Sequence, residues 1–289
     1  RDIFGGLKFV DGLSNQSTAE LGPLLESEKK RFAGTEVYGK TLGIVGLGAI
    51  GSLVANMALD LGMRVVGYDP AISVEAAWRL SSRVEKMSSL DALLKESDYI
   101  TLHVPAIDVT KGMINSESMS RMKPGVKLLN FSRKEIVNAS DLIAALDIGK
   151  IGSYVTDFPT PELIGHPKVL AMPHIGASTG EAEDNCAVMA ADQLINFLEN
   201  GNIKNSVNFP DTSMARGSEF RLTFSNSNVP NVLSAVLTQI SATGANVIDL
   251  VNQSRNEIAY NIMDIDQPVT DELVDVISNL DGVIRVRRV

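Results

Sequence analysis

Between residues 40 and 171 short apolar runs alternate with longer stretches whose apolar positions recur every three to four residues. The runs at 42–45, 64–68, 99–104, 126–130, 153–156 and 169–171 are short and rich in Val, Ile and Leu, with a shorter one near Val84. They read as strands of a buried sheet. The stretches 50–61, 74–80, 89–95, 116–122 and 139–148 carry helical spacing, the last with Asn138 or Ser140 as its cap. Strand and helix in alternation predict an α/β fold with a doubly wound parallel sheet. A long amphipathic helix at 179–199 follows, stopped by Asn200-Gly201. After a polar stretch with Pro210 and Gly217 the rhythm changes. Segments 220–224, 230–243, 247–251, 258–265, 270–279 and 283–289 read as strand, helix, strand, strand, helix, strand, the ferredoxin-like βαββαβ order. The expected organisation is a first domain over 1–209, a linker over 210–218 and a second domain over 219–289. The first 31 residues predict a partly amphipathic helix and a polar Ser-Asn-Gln-Ser-Thr stretch, with no strand.

The sharpest local pattern is Thr-Leu-Gly-Ile-Val-Gly-Leu-Gly-Ala-Ile-Gly at 41–51. An apolar strand runs into Gly46-x-Gly48-x-x-Gly51, a helix follows, and the next strand ends at Asp69. Gly46 permits the tight turn, Gly48 the approach of a pyrophosphate, and Gly51 close packing of helix on strand. The helix N-terminus offers N–H groups and a positive dipole end to phosphates. Asp69 is placed to accept from the adenosine ribose hydroxyls and to repel a 2′-phosphate, so NAD is expected rather than NADP.

Composition narrows the setting. A formal net charge of −9 disfavours nucleic acid and anionic membrane as partners. An anionic substrate then requires local positive charge. The single cysteine, Cys186, excludes an internal disulfide and points to a reducing compartment, with the cytoplasm as the default. Its alanine-rich surroundings predict a small buried residue. No apolar run is long enough to span a bilayer, and no signal peptide is visible.

Ligands on a parallel sheet bind beyond the carboxyl ends of its strands. That rule selects the glycine turn, Asp69, His103–Pro105, Phe131–Arg133, Asp157 and His174. His174 suits proton exchange near neutral pH. Arg133 suits a bidentate grip on a carboxylate, or else pairs with Glu135. Glu162, beside His174, would stabilise its imidazolium, or else is a surface acid. His103 reads as lining or structural, and His166 as solvated. An NAD site with an Arg, a Glu and a His suggests hydride transfer on a 2-hydroxy acid. The scattered histidines suggest no metal.

These residues carry a resemblance. Residues 40–209 are similar to the cofactor domain of the D-2-hydroxyacid dehydrogenases through the glycine motif at 39–51, His-Val-Pro at 103–105, Asn-Phe-Ser-Arg at 130–133 and Pro-His-Ile-Gly-Ala-Ser-Thr at 173–179. The resemblance implies NAD contacts from Gly46, Gly48, Ala49, Ile50, Gly51, Asp69, His103, Val104, Pro105, Phe131, Ser132, Arg133, His174, Gly176 and Ala177. It puts Asp157 on the nicotinamide carboxamide, and Arg133, Glu162 and His174 in catalysis. Residues 219–289 resemble an ACT domain, a regulatory module of amino-acid metabolism, through Asn226-x-Asn228-x-Pro230 and Gly244-Ala245-Asn246-Val247.

Together the two resemblances imply a phosphorylated 2-hydroxy acid as substrate at the entry to serine biosynthesis. They also imply serine as effector at Asn226, Asn228 and Asn246, and a homodimer or homotetramer. D-lactate, glycerate or hydroxypyruvate as substrate, or a non-catalytic NAD-sensing module, are the alternatives. The chain departs from the family pattern at Lys134 and Asn231, where glycine is usual, and in its Asp-Phe-Pro-Thr-Pro-Glu loop. The family's substrate lobe, which precedes the cofactor domain, has no counterpart here. Residues 1–38 are therefore expected to be a crossover-helix tail and a dimer-contacting arm of a truncated protein, inactive alone.

Overall fold

The computed structural model describes residues 2–289; Arg1, where the sequence reading sets a truncated start, lies outside them. Two helices come first, α1 (Ile3–Asp11) and α2 (Thr18–Glu28), rather than one helix and a polar stretch. One residue of the polar stretch, Ser17, is a helix cap. Asp2 accepts from the Gly5 N–H, and Ser17 with Glu20 forms a capping box that starts α2.

Strands β1 (Thr41–Val45), β2 (Arg64–Tyr68), β3 (Glu85–Lys86), β4 (Tyr99–Leu102), β5 (Val126–Asn130), β6 (Ile151–Thr156) and β7 (Val169–Ala171) form a parallel sheet in the order β3-β2-β1-β4-β5-β6-β7. Helices α3 (Ala49–Asp60), α4 (Val74–Arg79), α5 (Leu90–Glu96), α6 (Ser116–Arg121) and α7 (Ala139–Asp147) occupy the connections. Central β1 is buried at every residue. Its alternate side chains serve two cores. Leu42 and Ile44 pack with Ala55, Ala58 and Leu59 of α3, while Val45 joins Leu93, Leu94, Ile100 and Leu102. Gly43 lets α5 close on β1, because a Cβ there would stand 2.6 Å from Leu93 Cδ2. From β1 the chain steps outward to β2 and β3, then returns to β4 on the other side. That reversal opens a crevice beyond the carboxyl ends of β1 and β4. β4 ends two residues before the expected boundary, freeing His103 and Val104 for the crevice rim.

The contacts divide the chain after Ile175; the second unit is Gly176–Val289. It contains α8 (Gly180–Asn200), β8 (Phe220–Ser227), α9 (Val232–Ala242), β9 (Val247–Arg255), β10 (Ile258–Ile265), α10 (Asp271–Ser278) and β11 (Val283–Arg288). The strands form an antiparallel sheet ordered β11-β8-β10-β9, the ferredoxin-like arrangement. Leu222, Phe224, Met263 and Ile265 on one face pack with Val236 and Ile240 of α9 and Leu273 and Ile277 of α10.

The long helix α8 groups with this sheet, whereas the sequence reading set it in the first domain ahead of a linker. The reason lies at its C-terminus, where the last four carbonyls lack intrahelical partners. Arg287 Nη2 donates to Phe197 O and Leu198 O at 2.9 and 2.5 Å. Arg216 donates to Glu199 O and Arg221 to Asn200 O, both at 2.9 Å. Cationic donors at a helix C-terminus also favour its dipole. Arg221 is itself fully buried and paired with Asp264 at 2.6 Å. Within the expected linker Thr212 bridges back to Ile203, and Met214 is buried. Cys186, expected to be buried, is exposed, as α8 has no fully buried residue.

Candidate active site

The glycine turn stands where β1 meets α3. Gly46 has φ +90°, its N–H donates to Tyr68 O at 2.9 Å, and a Cβ there would lie 2.4 Å from His103 O. At Gly51 a Cβ would come within 2.0 Å of Gly46 O. Gly48 is different. It is the N-cap of α3, offers no side-chain cap, and a Cβ on it would meet nothing within 4 Å. The first N–H groups of α3, at Ala49 and Ile50, therefore face open space beside a residue with no side chain, an arrangement that fits a pyrophosphate. Asp69 accepts from Leu47 N and Ala71 N, both at 2.8 Å. Its carboxylate thus ties the two strand-end loops together and retains lone pairs for ribose hydroxyls. His103 bonds Thr101 Oγ1 at 2.9 Å, and burial pushes its imidazole down to about 4, so it is neutral at physiological pH. Val104 is half-buried and Pro105 exposed on the same rim.

After β5, fully buried Asn130 donates to Arg133 O at 2.9 Å and accepts from Ser132 N at 3.1 Å, folding the strand end back on itself. Ser132 donates its hydroxyl to Leu102 O at 2.6 Å and is a buried strut between loops. Phe131 is exposed. Arg133 projects into a cavity of about 730 Å³ that Lys134, Glu135, Asp157, Phe158 and His174 also line. Phe158 organises it: the Arg133 guanidinium lies 5.3 Å from the ring centre, and the His174 ring centre lies 4.4 Å from it, tilted by 47°. Arg133 makes no ion pair with Glu135 among the described residues. Buried Asp157 Oδ1 has no hydrogen-bond partner. An orphaned acceptor there fits the N–H of a carboxamide such as that of nicotinamide.

Other predicted residues stand apart. Glu162 is exposed in a 3-10 turn opened by Pro161, away from His174 and outside the cavity wall. The Thr160 hydroxyl and its own backbone amide hold its carboxyl below the usual range. No carboxylate bonds or pairs with His174 among the described residues. His166, read as solvated, has a side chain only 13% exposed, with Nε2 3.3 Å from Asp147. Gly176 and Ala177 begin the second unit and are exposed. Three histidines form no metal cluster among the described residues. Sequence reasoning missed Phe158 and Asn130. Asn130 closes β5 and Phe158 follows β6 by two residues, and both stand in motifs that carried no role for them.

The predicted effector asparagines separate. Asn226 lies within β8, buried, accepting from Asn261 Nδ2 at 2.8 Å and donating to Ser227 O at 2.7 Å. Asn228 and Asn246 are exposed, but at opposite ends of the sheet: Asn228 N bonds Glu257 O, and Asn246 N bonds Asp266 Oδ1. The intervening strand length puts them about 25 Å apart, so one small molecule cannot touch both within a chain.

A family model described as the NAD binding domain of D-isomer specific 2-hydroxyacid dehydrogenases matches residues 9–176, and the chain belongs to that family. The sequence is 41% identical over 189 residues to a D-3-phosphoglycerate dehydrogenase of Synechocystis sp., covering 63% of this chain and 34% of that protein. It is 34% identical over 265 residues to D-3-phosphoglycerate dehydrogenase of Escherichia coli, covering 87% and 63%. The chain thus spans between a third and two thirds of the length of these relatives. Among solved structures it is similar to apo D-mandelate dehydrogenase of Rhodotorula graminis, with TM-score 0.54 and 31% identity over 61% of this chain and 52% of that one.

Proposed function

We propose that this chain carries the cofactor half of an enzyme that oxidises D-3-phosphoglycerate to 3-phosphohydroxypyruvate with NAD, the first step of serine biosynthesis. One observation supports it above the others: Phe158 holds Arg133 and His174 against a single cavity that Asp157 also lines. The similarity to the E. coli enzyme is too long to stop within the first unit, which favours that enzyme over relatives limited to the cofactor domain.

When bound, NAD⁺ would accept the hydride from C2 of the substrate. Arg133 grips the substrate carboxylate bidentately. His174 takes the proton of the C2 hydroxyl as the C2–H bond breaks and the C2 carbonyl forms. Asp157 orients the carboxamide of the cofactor, and the α3 N-terminus holds its pyrophosphate. Lys134 adds a second cation beside Arg133, suited to the substrate phosphate. The test is NADH formation by the full-length enzyme with D-3-phosphoglycerate, D-lactate and glycerate. A preference for an unphosphorylated acid overturns the substrate assignment, and turnover intact in His174→Ala overturns the chemistry.

Feedback by serine is the accompanying proposal. Because Asn228 and Asn246 stand at opposite ends of the sheet, a serine held by both would lie between two copies of the chain. The reading therefore carries a homodimer or homotetramer with it, and the apolar row Ile50, Leu53 and Met57 exposed on α3, with its C-cap Leu61, favours self-association. Serine calorimetry that is unchanged in Asn246→Ala would count against it. No helix among the described residues is long and apolar enough to cross a membrane, and a cytoplasmic location is part of the same proposal.

A further inference from the structure

A second cavity lies wholly within the Gly176–Val289 unit, and the proposed reaction does not use it. It is formed by the end of α8, the segment that follows, and the sheet face turned away from α9 and α10. Its volume of about 670 Å³ suits a small organic ligand. Leu194, Phe197, Phe209 and Tyr260 give it apolar and aromatic walls.

The charged groups on it are of one sign. Lys204, Arg285 and Arg287 line the cavity and no carboxylate does, in a chain whose net charge is −9. Lys204 and Arg285 are exposed and make no side-chain hydrogen bond or ion pair among the described residues. Arg287 is fixed: its guanidinium lies 4.5 Å from the Phe197 ring centre, and Nη2 donates to Phe197 O and Leu198 O. Its other terminal nitrogen, Nη1, is buried without a partner. A buried cationic donor left unpaired is unfavourable, and an acceptor supplied by a ligand removes that penalty.

We propose that this cavity binds a small organic anion, a carboxylate or phosphate carried on an apolar body. Lys204 and Arg285 hold the acid group at the mouth, Arg287 draws it inward, and the body rests against Phe197, Phe209 and Tyr260. One-sided cationic lining selects the acid, and the aromatic walls select its body over a bare inorganic ion.

Calorimetry on the whole chain tests this, with NAD saturating so that the cofactor turn is filled. The probes are 1-naphthoate, 1-naphthyl phosphate and the neutral 1-naphthalenemethanol. At least one acid binds at a single site at least tenfold more tightly than the alcohol, and which acid wins identifies the anionic group. The double variant Lys204→Gln, Arg285→Gln abolishes that tenfold preference while its circular dichroism is unchanged. Arg287 is left intact because it holds the end of α8. No heat with either acid, equal affinity for the alcohol, or unchanged acid affinity in the double variant overturns the proposal. The comparison of acid with alcohol on the unaltered chain stands even if the variant fails to fold.

Discussion

His174 is exposed and tilted against Phe158, so the proposed proton acceptor meets the cavity beside an aromatic neighbour rather than an acid. On the proposed mechanism its removal strikes the proton transfer and little else. His174→Ala is expected to lower kcat by about 10²–10⁴-fold while NAD affinity stays within about threefold, measured by steady-state kinetics and cofactor titration. Glu162→Gln separates the two accounts of that acid. With Glu162 exposed and outside the cavity lining, kcat changes by less than about tenfold; a loss as large as that of His174→Ala would show that Glu162 reaches the imidazole in turnover. Lys134 stands beside Arg133 on the cavity wall. If it grips a phosphate, Lys134→Gly raises KM for D-3-phosphoglycerate by about tenfold, on the order of 1.4 kcal/mol, and leaves KM for glycerate unmoved. Equal effects on both substrates would remove the phosphate role.

At the scale of elements, the turn from β1 into α3 allows its glycines to be told apart. An added Cβ at Gly51 collides with Gly46 O at 2.0 Å, whereas at Gly48 it meets nothing within 4 Å. Gly51→Ala therefore destabilises the fold by about 2 kcal/mol or more. Gly48→Ala leaves the thermal midpoint unchanged yet weakens NAD, because only the bound pyrophosphate would occupy the space its Cβ takes. A Gly48→Ala variant that keeps full NAD affinity would place the pyrophosphate elsewhere. This turn was legible from sequence because strand, glycines, helix and acid lie within one short span. The βαββαβ order was legible too, since apolar periodicity is local. The partition of α8 was not. Its grouping is set by arginines 216, 221 and 287 reaching back to its last carbonyls, and no pattern within the helix records donors that arrive from later in the chain. The same limit applied to Glu162. Its place in the loop after Asp157 could be read, but whether its side chain enters the cavity could not. Asn226 looked like a loop residue until β8 extended to Ser227 and buried it against Asn261.

For the whole molecule, the response to acid combines groups far apart in the chain, and their signs agree. Burial lowers the His103 imidazole to about 4, against roughly 6.5 in an unfolded chain. Below pH 6.5 the unfolded chain binds a proton that the native state refuses until near pH 4, so stability falls across that window by at most about 1.4 kcal/mol per pH unit. Partial exposure of His103 reduces this to on the order of 1 kcal/mol in all. Two carboxylates act lower down. Despite partial burial, Asp98 is held below its usual range by the Thr41 N–H and Lys123, and Asp264 by the Arg221 guanidinium. Their contributions are complete above the unfolded carboxylate value and are lost as pH falls through the lowered folded ones. Acid unfolding should therefore begin with a shallow decline below pH 6.5 and steepen below about pH 4. Urea midpoints at pH 7.5, 5.5 and 4.5 measure the first phase, and His103→Gln, which can still bond Thr101, should flatten it while sparing the second. If the variant declines as the unaltered chain does between pH 6.5 and 4.5, the buried imidazole is not the source, and the loss belongs to groups whose protonation the folded state leaves unchanged until the carboxylates titrate.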